Sequence, residues 1–112
     1  LKKVFIAFIN SFKGIYRALK EEFAFRVEFL LSLFLIPVSF FVGENSLEII
    51  LLSGTTIIIL LVELLNSAIE TTLDRVSLEK NDLTKYAKDL GSGAVLFSLI
   101  LWLITWSLII IY

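Results

Sequence analysis

Residues 90–112 read LGSGAVLFSLILWLITWSLIIIY, and none of them carries a charge. At a helical rise of about 1.5 Å per residue, such a stretch can cross a hydrocarbon core of about 30 Å. The rest of the chain makes the same demand: 58% of its 112 residues are hydrophobic, and mean hydropathy is +0.93. Small soluble domains bury the smallest share of their surface, so this much apolar surface has to face lipid. Within a bilayer an unclosed chain satisfies its backbone by forming helices. The fold class that follows is an all-α membrane protein, a single domain over residues 1–112.

Two further spans lie upstream. Residues 71–88 are polar and charged, with a turn expected at Asn81 and Asp82. Residues 47–69 form span two, and residues 29–42 form a shorter span one that contains Pro37, the one proline, where a kink is expected. The link between these two spans carries Glu44 and Glu48 and no basic residue. In residues 1–25, Lys3, Asn10, Lys13, Arg17 and Lys20 recur at helical spacing opposite a face rich in phenylalanine. A basic, aromatic amphipathic helix beside a span lies in the membrane interface. Residues 1–30 mix charges throughout, so no cleavable leader is expected. Trp102 and Trp106 fall well inside span three, where they read as packing residues.

All ten Lys and Arg lie within residues 1–28 or 70–89. The positive-inside rule then puts the N-terminus and the second loop in the cytoplasm. The chain has no Cys and no His, which excludes disulfides, thiolate or imidazole metal sites, and Ser-His or Cys-His nucleophiles. Net charge is −1, and no nucleic-acid partner is expected.

The sharpest chemical signal is on span two. Glu63, Asn66, Glu70 and Asp74 are offset by three, seven and eleven residues, which returns them to one face of a helix. A carboxylate at a helix centre costs about 2.5–3.5 kcal/mol on insertion scales, so such groups turn toward protein or a wet cavity. Asn66 and Ser67 could equally be glue between helices; that explanation serves Glu63 and Glu70 poorly, because span two holds no cation to neutralise them. Glu21, Glu22 and Glu28 form a second acidic group. Lys88 and Asp89 open span three ahead of Gly91, Ser92 and Gly93, small residues that suit close helix packing or, less commonly, a phosphate. Carboxylates without His or Cys suit a hard cation such as Mg²⁺ shared with substrate phosphates. No Walker-type loop or protein-kinase signature is present. From the residues alone, an ion or proton site in a small ion-coupled transporter subunit remains open, as does a stripe that only assembles an oligomer.

The run Val62-Glu-Leu-Leu-Asn-Ser-Ala-Ile-Glu70, followed by Asp74 and Arg75, resembles the prokaryotic integral-membrane diacylglycerol kinases. The likeness extends through Ser11 to Gly14, Glu22 to Glu28 and Ala87 to Ser92, covering essentially the whole chain in order. It implies a homotrimer in the bacterial inner membrane, with three spans and a surface helix per subunit. It also implies transfer of the ATP γ-phosphoryl group to the primary hydroxyl of diacylglycerol. By resemblance Glu63 is the general base and Asn66 positions the reacting groups. Glu22 and Glu70 hold Mg²⁺ with ATP; Lys88 and Asp89 contact the nucleotide; Arg26, Glu28 and Ser92 line the lipid side. Glu79 matches a nucleotide-contacting position. Lys3, Asn10, Lys80 and Asn81 stand at such positions too but depart from the family's usual residues. The undecaprenol kinases of the same family are the alternative, differing in the lipid acceptor.

Overall fold

The computed structural model describes residues 1–76 and 82–112, and these contain four helices. They are α1 (Lys2–Glu21), α2 (Phe23–Val42), α3 (Ser46–Val76) and α4 (Asp82–Ile111). Helices α2, α3 and α4 are each long and apolar enough to cross a membrane. Only 11–28% of the residues in their apolar stretches are buried within the chain, so most of that surface is turned outward, as lipid requires.

The helices run past the apolar segments expected from hydropathy. α2 begins at Phe23 rather than at 29, and α4 at Asp82 rather than at 90. Hydropathy stops at a charge; a helix stops where its backbone loses partners. Arg26 stays helical because its guanidinium bonds back to carbonyls of α1, and the first turns of α4 carry the i,i+4 pair of Lys85 and Asp89 at 2.9 Å. At 31 residues α3 is about 46 Å long, so one end stands clear of the hydrocarbon. α2 continues through Pro37 as one helix.

The amphipathic segment ends at Glu21, earlier than 25, because Glu22 takes an extended conformation (φ −105°, ψ 106°) and turns the chain. The corner is closed by Arg26, whose Nε and Nη2 donate to the carbonyls of Leu19 and Lys20, each at 2.7 Å. Those carbonyls are the unpaired acceptors at the C-terminal end of α1, where a cation is also favoured by the helix dipole.

α3 is the central element and packs against both α2 and α4. Its buried positions, Leu52, Thr55, Thr56, Ile59, Glu63 and Asn66, form one face. The buried hydroxyls of Thr55 and Thr56, like those of Ser32, Ser39 and Ser98 on the facing helices, donate to carbonyls of their own helix. They therefore pack as small side chains and leave no unmet donor. As expected of packing residues, the rings of Trp102 and Trp106 stack at 5.2 Å. Trp102 Nε1 donates to Thr56 Oγ1 at 3.0 Å, and Trp106 Nε1 to Leu52 O at 3.1 Å.

α1 buries no residue of its own, so the Arg26 corner governs how firmly it is docked. Arg26→Gln removes hydrogen bonds of the charged kind, worth about 1.5–3 kcal/mol each when shielded and less at an exposed corner. Amide exchange in α1 should speed up in the variant while exchange around Leu52 and Ile59 stays unchanged. Equal rates in α1 would show that the corner does not depend on this side chain.

Candidate active site

The acidic stripe of α3 is enclosed at Glu63 and Asn66 and opens to the surface at Asp74. Glu63 and Asn66 are both buried, each 8% exposed, because α2 approaches one flank of α3 and α4 the other. From α2, the carboxyl of Glu28 reaches to within hydrogen-bonding range of Glu63. Glu28 Oε2 is buried and accepts no hydrogen bond from any described residue. Two carboxylates this close repel, so the geometry favours whatever sets a hydroxyl donor or a cation between them. Glu22 at the α1–α2 corner and Glu70 about two turns along α3 also lie near enough to act on Glu63 electrostatically.

From the other flank, Gly91 of α4 sits against Asn66, and a Cβ added there would overlap Asn66 Oδ1. That contact holds the amide with its Nδ2 donating to Glu70 Oε1 at 3.2 Å. Asn66 Oδ1 is buried and has no donor among the described residues. One turn before Gly91, Lys88 crosses to Asp74 at 2.7 Å and also feels the charge of Glu70. One lysine thus serves the Asp74 end of the stripe, which span two could not neutralise for itself.

Beside this cluster an open groove of about 730 Å³ runs between α1 and α3, with Asn10, Glu21 and Glu22 on one wall and Ser67 and Thr71 on the other. The structure brings Glu22, Glu28, Glu63, Asn66, Glu70 and Lys88 together, with Asn10 along the groove. Lys3 is exposed in the first turn of α1 and lines no part of it. Arg26 is occupied by the corner carbonyls. Asp89 is exposed and paired with Lys85, and Ser92 is exposed on α4. Glu79, Lys80 and Asn81 lie outside the described residues. Gly14, Thr71 and Thr72 also line the groove, and the i,i+4 spacing of small side chains at Ser67 and Thr71 is their signal in the sequence.

Fold and site together define a small helical integral membrane protein with a carboxylate cluster where a membrane helix meets an open groove. The sequence model for prokaryotic diacylglycerol kinase matches residues 9–110. The chain is 43% identical to the diacylglycerol kinase of Pseudomonas aeruginosa over 111 residues, covering 99% of this chain and 90% of that protein. It is 42% identical to the Haemophilus influenzae diacylglycerol kinase over 102 residues (91% and 86%) and 36% identical to that of Escherichia coli K12 over 100 residues (89% and 82%). The chain belongs to the prokaryotic diacylglycerol kinase family.

The close contact at Gly91 yields a direct test. Gly91→Ala forces Asn66 or α4 to move, and overpacking of this kind costs about 1–3 kcal/mol. Thermal unfolding in detergent should show that loss. Gly93→Ala, where an added Cβ meets no described residue within 4 Å, should leave the α3–α4 contact intact. If the two variants melt alike, the contact at Gly91 is not a close one in the folded protein.

Proposed function

We propose that this protein is an ATP-dependent diacylglycerol kinase, transferring the γ-phosphoryl group of ATP to the primary hydroxyl of the lipid to give phosphatidic acid. The observation that carries the assignment of roles is Glu63, buried on α3 and surrounded by Glu22, Glu28 and Glu70 beside a groove open to water. Glu63 accepts the proton of the lipid hydroxyl. The freed oxygen forms a bond to the γ-phosphorus, the bond from that phosphorus to the β–γ bridging oxygen breaks, and ADP leaves. Phosphoryl transfer depends chiefly on positioning and charge stabilisation, which suits a site with one base and several fixed polar groups. Asn66, held between Gly91 and Glu70, positions the reacting groups, and Lys88 brings positive charge for the phosphates.

Glu22 and Glu70 are the residues that would hold Mg²⁺. They offer hard oxygen donors, and among the described residues no three acidic side chains come close enough to hold an ion by themselves. That donor set fits an ion bound by one or two carboxylates, with nucleotide phosphates and water completing its shell. When bound, the ion supplies charge neutralisation along the phosphates.

The clustering of all ten Lys and Arg at the α1 and α3–α4 ends supports an inner-membrane protein with this site on the cytoplasmic side, where ATP is available. Lipid then arrives sideways through the bilayer. The family resemblance supports a homotrimer. The relatives' shared name favours diacylglycerol over a polyprenol as acceptor.

Purified protein supplied with radiolabelled ATP should label diacylglycerol well in excess of undecaprenol, and should consume no ATP without a lipid acceptor. Preferential labelling of the polyprenol would reassign the substrate, and gradient-driven transport without phosphorylation would replace the enzyme reading altogether. Glu63→Gln keeps the shape of the side chain and removes the base, so turnover should fall by about 10²–10⁴-fold with trimer content unchanged. Full turnover in that variant would remove Glu63 from the role of base.

A further inference from the structure

A second, smaller pocket lies on the membrane side of the carboxylates. It has a volume of about 140 Å³, with Glu28 at one end and Leu31, Leu35, Ile59 and Leu99 as its apolar walls. Thr56 and Trp102 complete the lining. Along α3, Thr56 is seven residues from Glu63, and along α2 Leu35 is seven from Glu28; each offset is about two turns, or about 11 Å, toward the bilayer centre. Glu28 and the Thr56–Trp102 pair therefore mark opposite ends of the pocket, one acidic and one closed by an indole.

We infer that this pocket receives one acyl chain of the acceptor lipid, and that Trp102, held in place by Thr56, sets how far the chain can reach. The inference rests on the lipid-kinase reading above. Such an acceptor carries a hydroxyl at one end and hydrocarbon at the other, in the order the pocket presents. The facing carboxyls of Glu28 and Glu63 favour a hydroxyl donor, and the walls beyond them offer no polar side chain until Thr56. The hydroxyl of Thr56 is itself engaged, donating to Leu52 O at 2.9 Å and accepting from Trp102. An indole bonded at Nε1 and stacked on Trp106 at 5.2 Å has lost the freedom to swing aside, so it acts as a fixed stop. At about 30 Å³ for each water-sized group, a volume of about 140 Å³ admits a short run of methylenes. Extra length meets the ring. Hydrocarbon pockets discriminate by length because each added or missing methylene changes the fit by roughly tenfold or more.

The test compares kcat/KM for dioctanoylglycerol and dipalmitoylglycerol, presented at equal mole fraction in mixed micelles with saturating ATP. Trp102→Ala deepens the pocket and should raise the long-to-short ratio by about tenfold. Thr56→Val keeps the side-chain shape but releases the indole, and should shift the ratio the same way by a smaller factor. Leu99→Phe narrows the pocket and should shift it oppositely, which gives a reading even if Trp102→Ala fails to fold. A ratio unchanged in Leu99→Phe and in whichever Trp102 or Thr56 variant folds would overturn the inference and leave Trp102 as packing between α3 and α4. A wild-type protein that phosphorylates neither lipid would instead overturn the kinase reading on which the inference stands.

Discussion

Carboxylates on a membrane helix have to be enclosed by protein, and that requirement organises the whole molecule. Each glutamate placed at the centre of a span would cost about 2.5–3.5 kcal/mol, more than a small polar contact between membrane helices returns. Enclosure is achieved by making α3 the middle helix, with α2 on one side and α4 on the other. Close approach then depends on small residues: Gly91 lies directly against Asn66, and buried serines and threonines bond back to their own helices. Where a large residue does enter the contact it brings a donor with a ready acceptor, as both tryptophans of α4 do.

The same enclosure leaves a chemically useful remainder. The buried hydroxyls and both indoles are bonded, yet Glu28 Oε2 and Asn66 Oδ1 stay buried without a donor among the described residues. Unmet acceptors of this kind are costly in a purely structural core and reasonable at a site that awaits a substrate hydroxyl or a cation. Their neighbour α1 is built differently. It buries no residue, turns at Glu22 and is tied down by one arginine. A weakly docked helix over a groove can shift to admit substrate at little cost, whereas the α2–α3–α4 contact that holds the base cannot.

Much of this was legible in the sequence. Uncharged length marks the spans, a three-to-four-residue period marks the amphipathic helix, and the offsets of Glu63, Asn66 and Glu70 put them on one face. Each is a local property, since helix geometry repeats the same way whatever surrounds it. The depth of Trp102 and Trp106 likewise marked them as packing residues. Helix ends were less legible. Arg26, Lys85 and Lys88 look like stops in a hydropathy profile, but each finds a partner that lets its helix continue.

What the sequence by itself determined is the class of protein, the number of spans and the helix face that carries the carboxylates. Tertiary structure alone decided which other residues meet that face. Glu28, thirty-five positions before Glu63, and Lys88, fourteen after Asp74, arrive there because α2 and α4 pack on opposite flanks of α3. Arg26, which resemblance puts near the lipid, donates to the open carbonyls of α1. The charges on a chain are fixed by its residues, but their partners follow from which helices come into contact, and no local pattern encodes that.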